Sequence, residues 1–244
     1  MSVEQRVEHR DHVLDQPALH QSATLLLAGQ LLYILVTQFH AGGAANDHRH
    51  IFVTYAGSGD WKAVHVGQFL AMAVIVAGLV GFSHALDLHA HGASAAARVG
   101  AVLSVVALAL YGALQAVDGV GNKEVDAAWA HASAADKPAR FASAEAMRWL
   151  EWGVRSYHDY ALGVGVVLLG VAAGVVTTAR VPKPVAWLMC LSGAVYLVQG
   201  WVLGAQGFSS THTILILLAW ALSLAWMVWL VVVTRRRRHQ EGVA

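Results

Sequence analysis

Four of the 14 histidines in this chain share one position in its pattern, each standing where an apolar run begins or ends. His40 closes the first run, His65 opens the second, His158 precedes the fourth and His212 precedes the sixth. Neutral imidazole is a common ligand for haem iron, zinc and copper. Histidines carried to one depth by separate helices are what a metal or haem centre in a helical bundle requires. Asp118 at the end of the third run, Asp159 and Gln206 extend this level into a polar ring drawn from every run. Asp118 and Glu151 are the carboxylates placed to accept protons or to add ligands. The competing reading is that polar residues gather at helix ends because headgroups and water satisfy them there.

Polar side chains also continue inward, where water is not at hand. Gln68 lies one turn past His65, with Met72 on the same face. Gln115 and then Tyr111 follow Asp118 inward, Gln199 and Tyr196 lie inside Gln206, and the first run carries Gln38, Tyr33 and Gln30. A buried amide without a partner costs on the order of several kcal/mol in hydrocarbon, so these groups are expected to face each other or a cavity. Gln30, Gln68, Tyr111, Gln115, Tyr196 and Gln199 are therefore candidate walls of a pocket for a small apolar or lipid-like ligand. An interhelical hydrogen-bond network is the alternative.

Other groups carry weaker signals. Glu151 and His158 share a helix face, Arg155 and Asp159 are spaced for an i,i+4 ion pair, and Glu145 with Arg148 reads as a solvated interfacial face. His9, Asp11 and His12, then Asp47, His48 and His50, then His84, Asp87, His89 and His91 lack the spacing of a defined metal site. Phosphate-binding, dinucleotide, HExxH, CxxC, CxxCH and GxSxG patterns are absent. The single cysteine, Cys190, lies within an apolar run and has no intramolecular partner.

What must position these residues is a membrane bundle. The 244-residue chain is 57% hydrophobic and 13% charged, against roughly 25% charged residues in soluble domains. Apolar runs at 23–39, 63–82, 99–117, 160–179, 185–203 and 213–233 approach the roughly 20 residues that cross a bilayer as a helix. The alternating segments of about ten residues that a β-barrel needs are missing. The expected fold is all-α, a polytopic bundle of six transmembrane helices over 23–234. A cytoplasmic N-terminal segment (1–22) precedes it and a basic cytoplasmic tail (235–244) follows.

Six spans put Arg6, Arg10, Arg98, Arg180, Lys183 and the arginines at 235–238 on one side. The positive-inside rule makes that side the cytoplasm of a bacterial membrane. Arg49, Lys62, Lys123, Lys137, Arg140, Arg148 and Arg155 fall opposite, which moderates the bias. Segment 40–62 is expected to fold back on the membrane surface. Asp136 followed by Pro138 marks a helix start, giving an interfacial helix over 138–152 before, or continuous with, span four. A net charge of +1 leaves no basic field for nucleic acid.

Between Gln115 and Gly207 the sequence resembles uncharacterised six-helix membrane proteins of bacteria. The residues that carry this are Asp118-Gly119, Lys123, Asp126, Trp129, Glu145, Arg148-Trp149, Glu151, segment 182–187 and Gly207-Phe208, with His65 and Gln68 upstream. The resemblance implies the six-span topology and no activity.

Three functions are left open. The first is a metal-dependent or haem-dependent oxidoreductase using His65 and His158 with His40 or His212, and holding one haem or a non-haem transition metal. Spans three and five contain no histidine, which argues against two haems stacked across the bilayer. The others are a small-molecule or lipid binding or transport protein, and an accessory subunit docking a partner subunit or another copy of itself.

Overall fold

The computed structural model describes residues 3–43, 46–86, 91–175 and 181–241. Asp87, His89 and Arg180 lie outside them, as do the side chains of Arg6, His9, Arg10, Asp11, His12, His91 and Arg238. The described residues form α1 (Val3–Thr37), α2 (His48–Gly57), α3 (Trp61–Ala85), α4 (His91–Ala116), a π-helical segment (Val117–Asn122), α5 (Lys123–Ala130), α6 (Lys137–Val175), α7 (Lys183–Gln206) and α8 (Ser210–Glu241), with no strand among them. Six stretches are long and apolar enough to cross a membrane. The all-helical, six-span architecture expected from composition is the one observed.

The spans close into a ring in chain order. α1 packs on α3, α3 on α4, α4 on α6, α6 on α7 and α7 on α8, and α8 returns to α1. Side chains such as Leu26, Leu79, Leu169 and Trp226 fill the middle, while Leu35, Val102, Trp187, Trp201 and Ile214 point outward and exposed. An apolar exterior is what lipid selects and water does not. Small residues bring the backbones close where helices cross. A Cβ on Gly193 of α7 would lie 2.7 Å from the Gly163 carbonyl of α6, and one on Gly163 would lie 2.8 Å from that of Gly193.

The two longest helical stretches far outrun the membrane. The stretch Ala93–Ala130 has 38 residues and α6 has 39, so each is about 57 Å long at 1.5 Å per residue, nearly twice a hydrocarbon core of roughly 30 Å. Residues 118–159, which join the third apolar run to the fourth, are thus helical over most of their length. Charges from Lys123 onward end the apolar run without breaking the helix, and only 131–136 interrupts it before α6. Continuity of the 138–152 helix with span four is observed, as α6.

Segment 40–62 also contains a helix. Asp47 caps α2 by accepting from the His50 backbone N–H at 3.2 Å. At the other end Lys123 Nζ donates to the carbonyls of Tyr55, Ala56 and Ser58 at 2.7–2.8 Å, which satisfies groups a helix C-terminus leaves bare. α2 rests on α5 through a small core of Ile51, Phe52, Tyr55, Trp61, Trp129 and Ala144. The result is a cap over one end of the bundle. Gly207 closes α7 at φ 65°, where a Cβ would also strike the Trp152 ring at 2.6 Å.

Replacing Gly193 by Leu is expected to separate α6 from α7. Overpacking at a close crossing costs about 1–3 kcal/mol, so the apparent Tm in detergent, followed by tryptophan fluorescence, should fall by several degrees. An unchanged Tm would show that the crossing tolerates a side chain.

Candidate metal centre

Three elements meet beneath the cap. α1 ends at Thr37 and the turn after it carries His40, α3 presents His65 from its second turn, and the π segment presents Asp118. His65 Nε2 lies 3.1 Å from Asp118 Oδ2, and His40 Nε2 lies 3.6 Å from the same oxygen. The imidazole centroids are 5.1 Å apart. Among the described residues these are the three histidine, cysteine or carboxylate side chains whose donor atoms converge, all within 4.8 Å.

The π segment explains why Asp118 faces inward. A single π turn shifts the helix register and frees backbone groups, and such turns gather at functional sites. Here the Trp61 indole N–H donates to the Asp118 carbonyl at 3.0 Å. Gly119 lets α3 come close, because a Cβ there would sit 2.9 Å from the Cβ of His65.

The hydrogen bonds of His65 define its protonation. Nδ1 lies 2.7 Å from the Trp61 carbonyl oxygen. A carbonyl only accepts, so Nδ1 carries a proton and donates it. In the neutral ring Nε2 is then a bare lone pair facing a carboxylate oxygen, which also only accepts. Nε2 is buried and has no hydrogen bond. Two acceptors at 3.1 Å require a positive charge between them, either a proton on Nε2 or a metal ion.

Glu151 joins through Asn122, whose amide donates to Asp118 Oδ1 at 3.0 Å and to Glu151 Oε2 at 2.7 Å. Arg148 donates to Glu151 at 2.6 Å and to the Tyr55 hydroxyl at 3.0 Å, and its guanidinium stacks over Phe208 at 4.5 Å. Burial raises the Tyr55 phenol well above its ordinary range despite Arg148 beside it, so the hydroxyl stays protonated. Asp118 and Glu151 against the single cation Arg148 leave one negative charge unmatched in this group.

A cavity of about 300 Å³ opens beside the triad, lined by His40, Asp118, Glu151, Arg148 and Arg155 together with Tyr33, Gln68, Tyr111 and Gln115. Gln68 donates to Thr37 at 3.1 Å, and Tyr111 donates to Tyr33 at 3.1 Å. Gln30, Tyr196 and Gln199 instead line a separate void of about 30 Å³ deeper in the ring, with Arg155, His158 and Asp159. The expected Arg155–Asp159 pair forms there at 3.3 Å, and Gln199 donates to Asp159 at 3.1 Å.

The four histidines do not share one site. His158 bonds the Ala107 carbonyl at 2.9 Å, because α6 starts at Lys137 and its 22nd residue lies deeper than a span boundary. His212 is buried against the Phe208 ring at 5.3 Å. Glu145 pairs with His48 at 3.0 Å, and Arg148 is buried instead of lying on a solvated face. Gln206 accepts from Asn46 through its backbone carbonyl. Sequence reasoning passed over Tyr55, Trp61 and Asn122. Only the adjacent polar pair Asn122-Lys123, directly after Gly119 and Gly121, hinted that the third helix continued with an altered register. Compared with known proteins, the chain matches no family model, no curated protein and no solved structure.

Arg148→Met should destabilise the fold by roughly 3–5 kcal/mol by leaving Glu151 buried without its cation. Arg148→Met combined with Glu151→Gln should recover much of that loss. Thermal unfolding of both variants checks it, and equal stability of single and double variants would contradict the pairing.

Proposed function

We propose that this chain is a membrane metalloprotein that holds one divalent transition metal on His40, His65 and Asp118 and presents it to the adjoining cavity. The observation that carries this is His65 Nε2 facing Asp118 Oδ2 from 3.1 Å while Nδ1 is committed to the Trp61 carbonyl. A carbonyl on the far nitrogen is the usual way a ligating imidazole is held in tautomer and orientation. The two donor separations to Asp118 Oδ2, 3.1 and 3.6 Å, bracket the edge of about 3.3 Å that a tetrahedral site with bonds near 2.0 Å has, and all three donors lie within 4.8 Å of one another. A divalent cation also offsets the unmatched negative charge of Asp118 and Glu151 and leaves one positive charge over.

Two histidines and a carboxylate with an open position suit zinc or non-haem iron(II). Of the two cofactor classes weighed, haem is the poorer fit. Its two histidine ligands approach from opposite faces of a macrocycle, whereas these imidazoles share one carboxylate oxygen, with centroids 5.1 Å apart. An open position beside a cavity is the arrangement of catalytic metal sites, so the reading extends to a metal-dependent enzyme, with iron implying oxidoreductase chemistry. Arg98, Lys183 and Arg235 to Arg237 belong to the opposite helix ends, which supports an extracytoplasmic site with both termini in the cytoplasm.

Elemental analysis of the detergent-purified protein should find about one zinc or iron per chain. His65→Ala and Asp118→Asn should each weaken binding by more than the roughly 10- to 100-fold that losing a supporting partner causes. His212→Ala should bind as the wild type does. Protein free of metal that takes up none on titration would instead leave a proton between His65 and Asp118 and end this reading.

A further inference from the structure

The charges around the cavity specify what accompanies the metal. Arg148 is matched by Glu151 at 2.6 Å, and Arg155 by Asp159 at 3.3 Å. With those pairs neutral, a divalent ion on Asp118 and two neutral imidazoles leaves one positive charge in a buried site. Such a charge is costly unless an anion meets it. Arg155 lines the same cavity. Its guanidinium has five N–H donors, of which Nε goes to Asp159. The remainder are available to a planar, two-oxygen partner, the shape a guanidinium fork fits best. Thr37, Gln68 and Gln115 add polar wall. About 300 Å³ is at the lower bound of ligand pockets, which restricts the occupant to a small molecule.

We infer that the cavity binds a small carboxylate anion, one end at the open position of the metal and held by the Arg155 guanidinium. This rests on the metal reading above. Cobalt(II) is a coloured probe of the same site, and acetate is a probe of the anion. Wild-type protein loaded with cobalt(II) in detergent should show visible bands that acetate shifts saturably. The variant Arg155→Gln/Asp159→Asn removes both charges together, so no lone buried charge remains. It should load cobalt as the wild type does and require at least about tenfold more acetate, as expected for losing one charge-assisted contact. Should it fail to load cobalt, Arg155→Lys keeps the charge but loses the fork and should weaken acetate at least about threefold.

Cobalt bands that acetate leaves unmoved would overturn the anion site while leaving the metal site standing, with water completing it. An unchanged acetate response in the variant that loads cobalt would overturn the role of Arg155. Absence of any cobalt spectrum is a different failure, since it removes the metal site and the anion site with it.

Discussion

Asp118 ties the capped end of the molecule together. Its carboxylate faces His65 and His40 on one oxygen and accepts from Asn122 on the other, and its backbone carbonyl takes the Trp61 indole. Helices α1, α3, α4 and α6 are thereby joined through one residue, α6 by way of Glu151. At a membrane boundary such an arrangement is expensive unless every charge is matched. Arg148, bonded to Glu151 and Tyr55 and roofed by Phe208, supplies most of the match.

The architecture provides that site in two layers. Within the bilayer a closed ring of spans needs only apolar exteriors and small residues at its crossings. Beyond it, the long helices α4–α5 and α6 continue past the hydrocarbon and clamp α2 between them and the bundle. This cap brings Tyr55 and Trp61 over the carboxylates and shelters them from bulk water. It also explains why the His40, His65 and Asp118 group sits at one end of a six-span protein, where a polar cavity is tolerated. The deeper void with Arg155, Asp159, Gln199 and Gln30 continues the polar interior but is walled by Leu79, Val166 and Met227.

The apolar runs, their number and the all-helical class were legible from composition and periodicity, because hydrocarbon imposes one length and one backbone solution on every span. The polar residues turned inward were legible too, since amides in such runs must find partners. Gln68 and Gln115 do line a cavity, and Arg155 does pair with Asp159. What spacing left undecided was which histidines meet. All four stand at similar distances from span boundaries in the sequence, yet depth is set by where a helix starts, and α6 starts some twenty residues before the apolar run it carries.

Sequence alone therefore determined the six-span helical architecture and a surplus of polar side chains near one end of the spans. Tertiary structure decided that His40, His65 and Asp118 converge while His158 and His212 do not. It also decided that Asn122, Arg148 and Tyr55 complete the group. The physical reason is rotational. One π turn after Ala116 re-aims Asp118 toward α3, and only packing against Gly119 and Trp61 reveals which way it points.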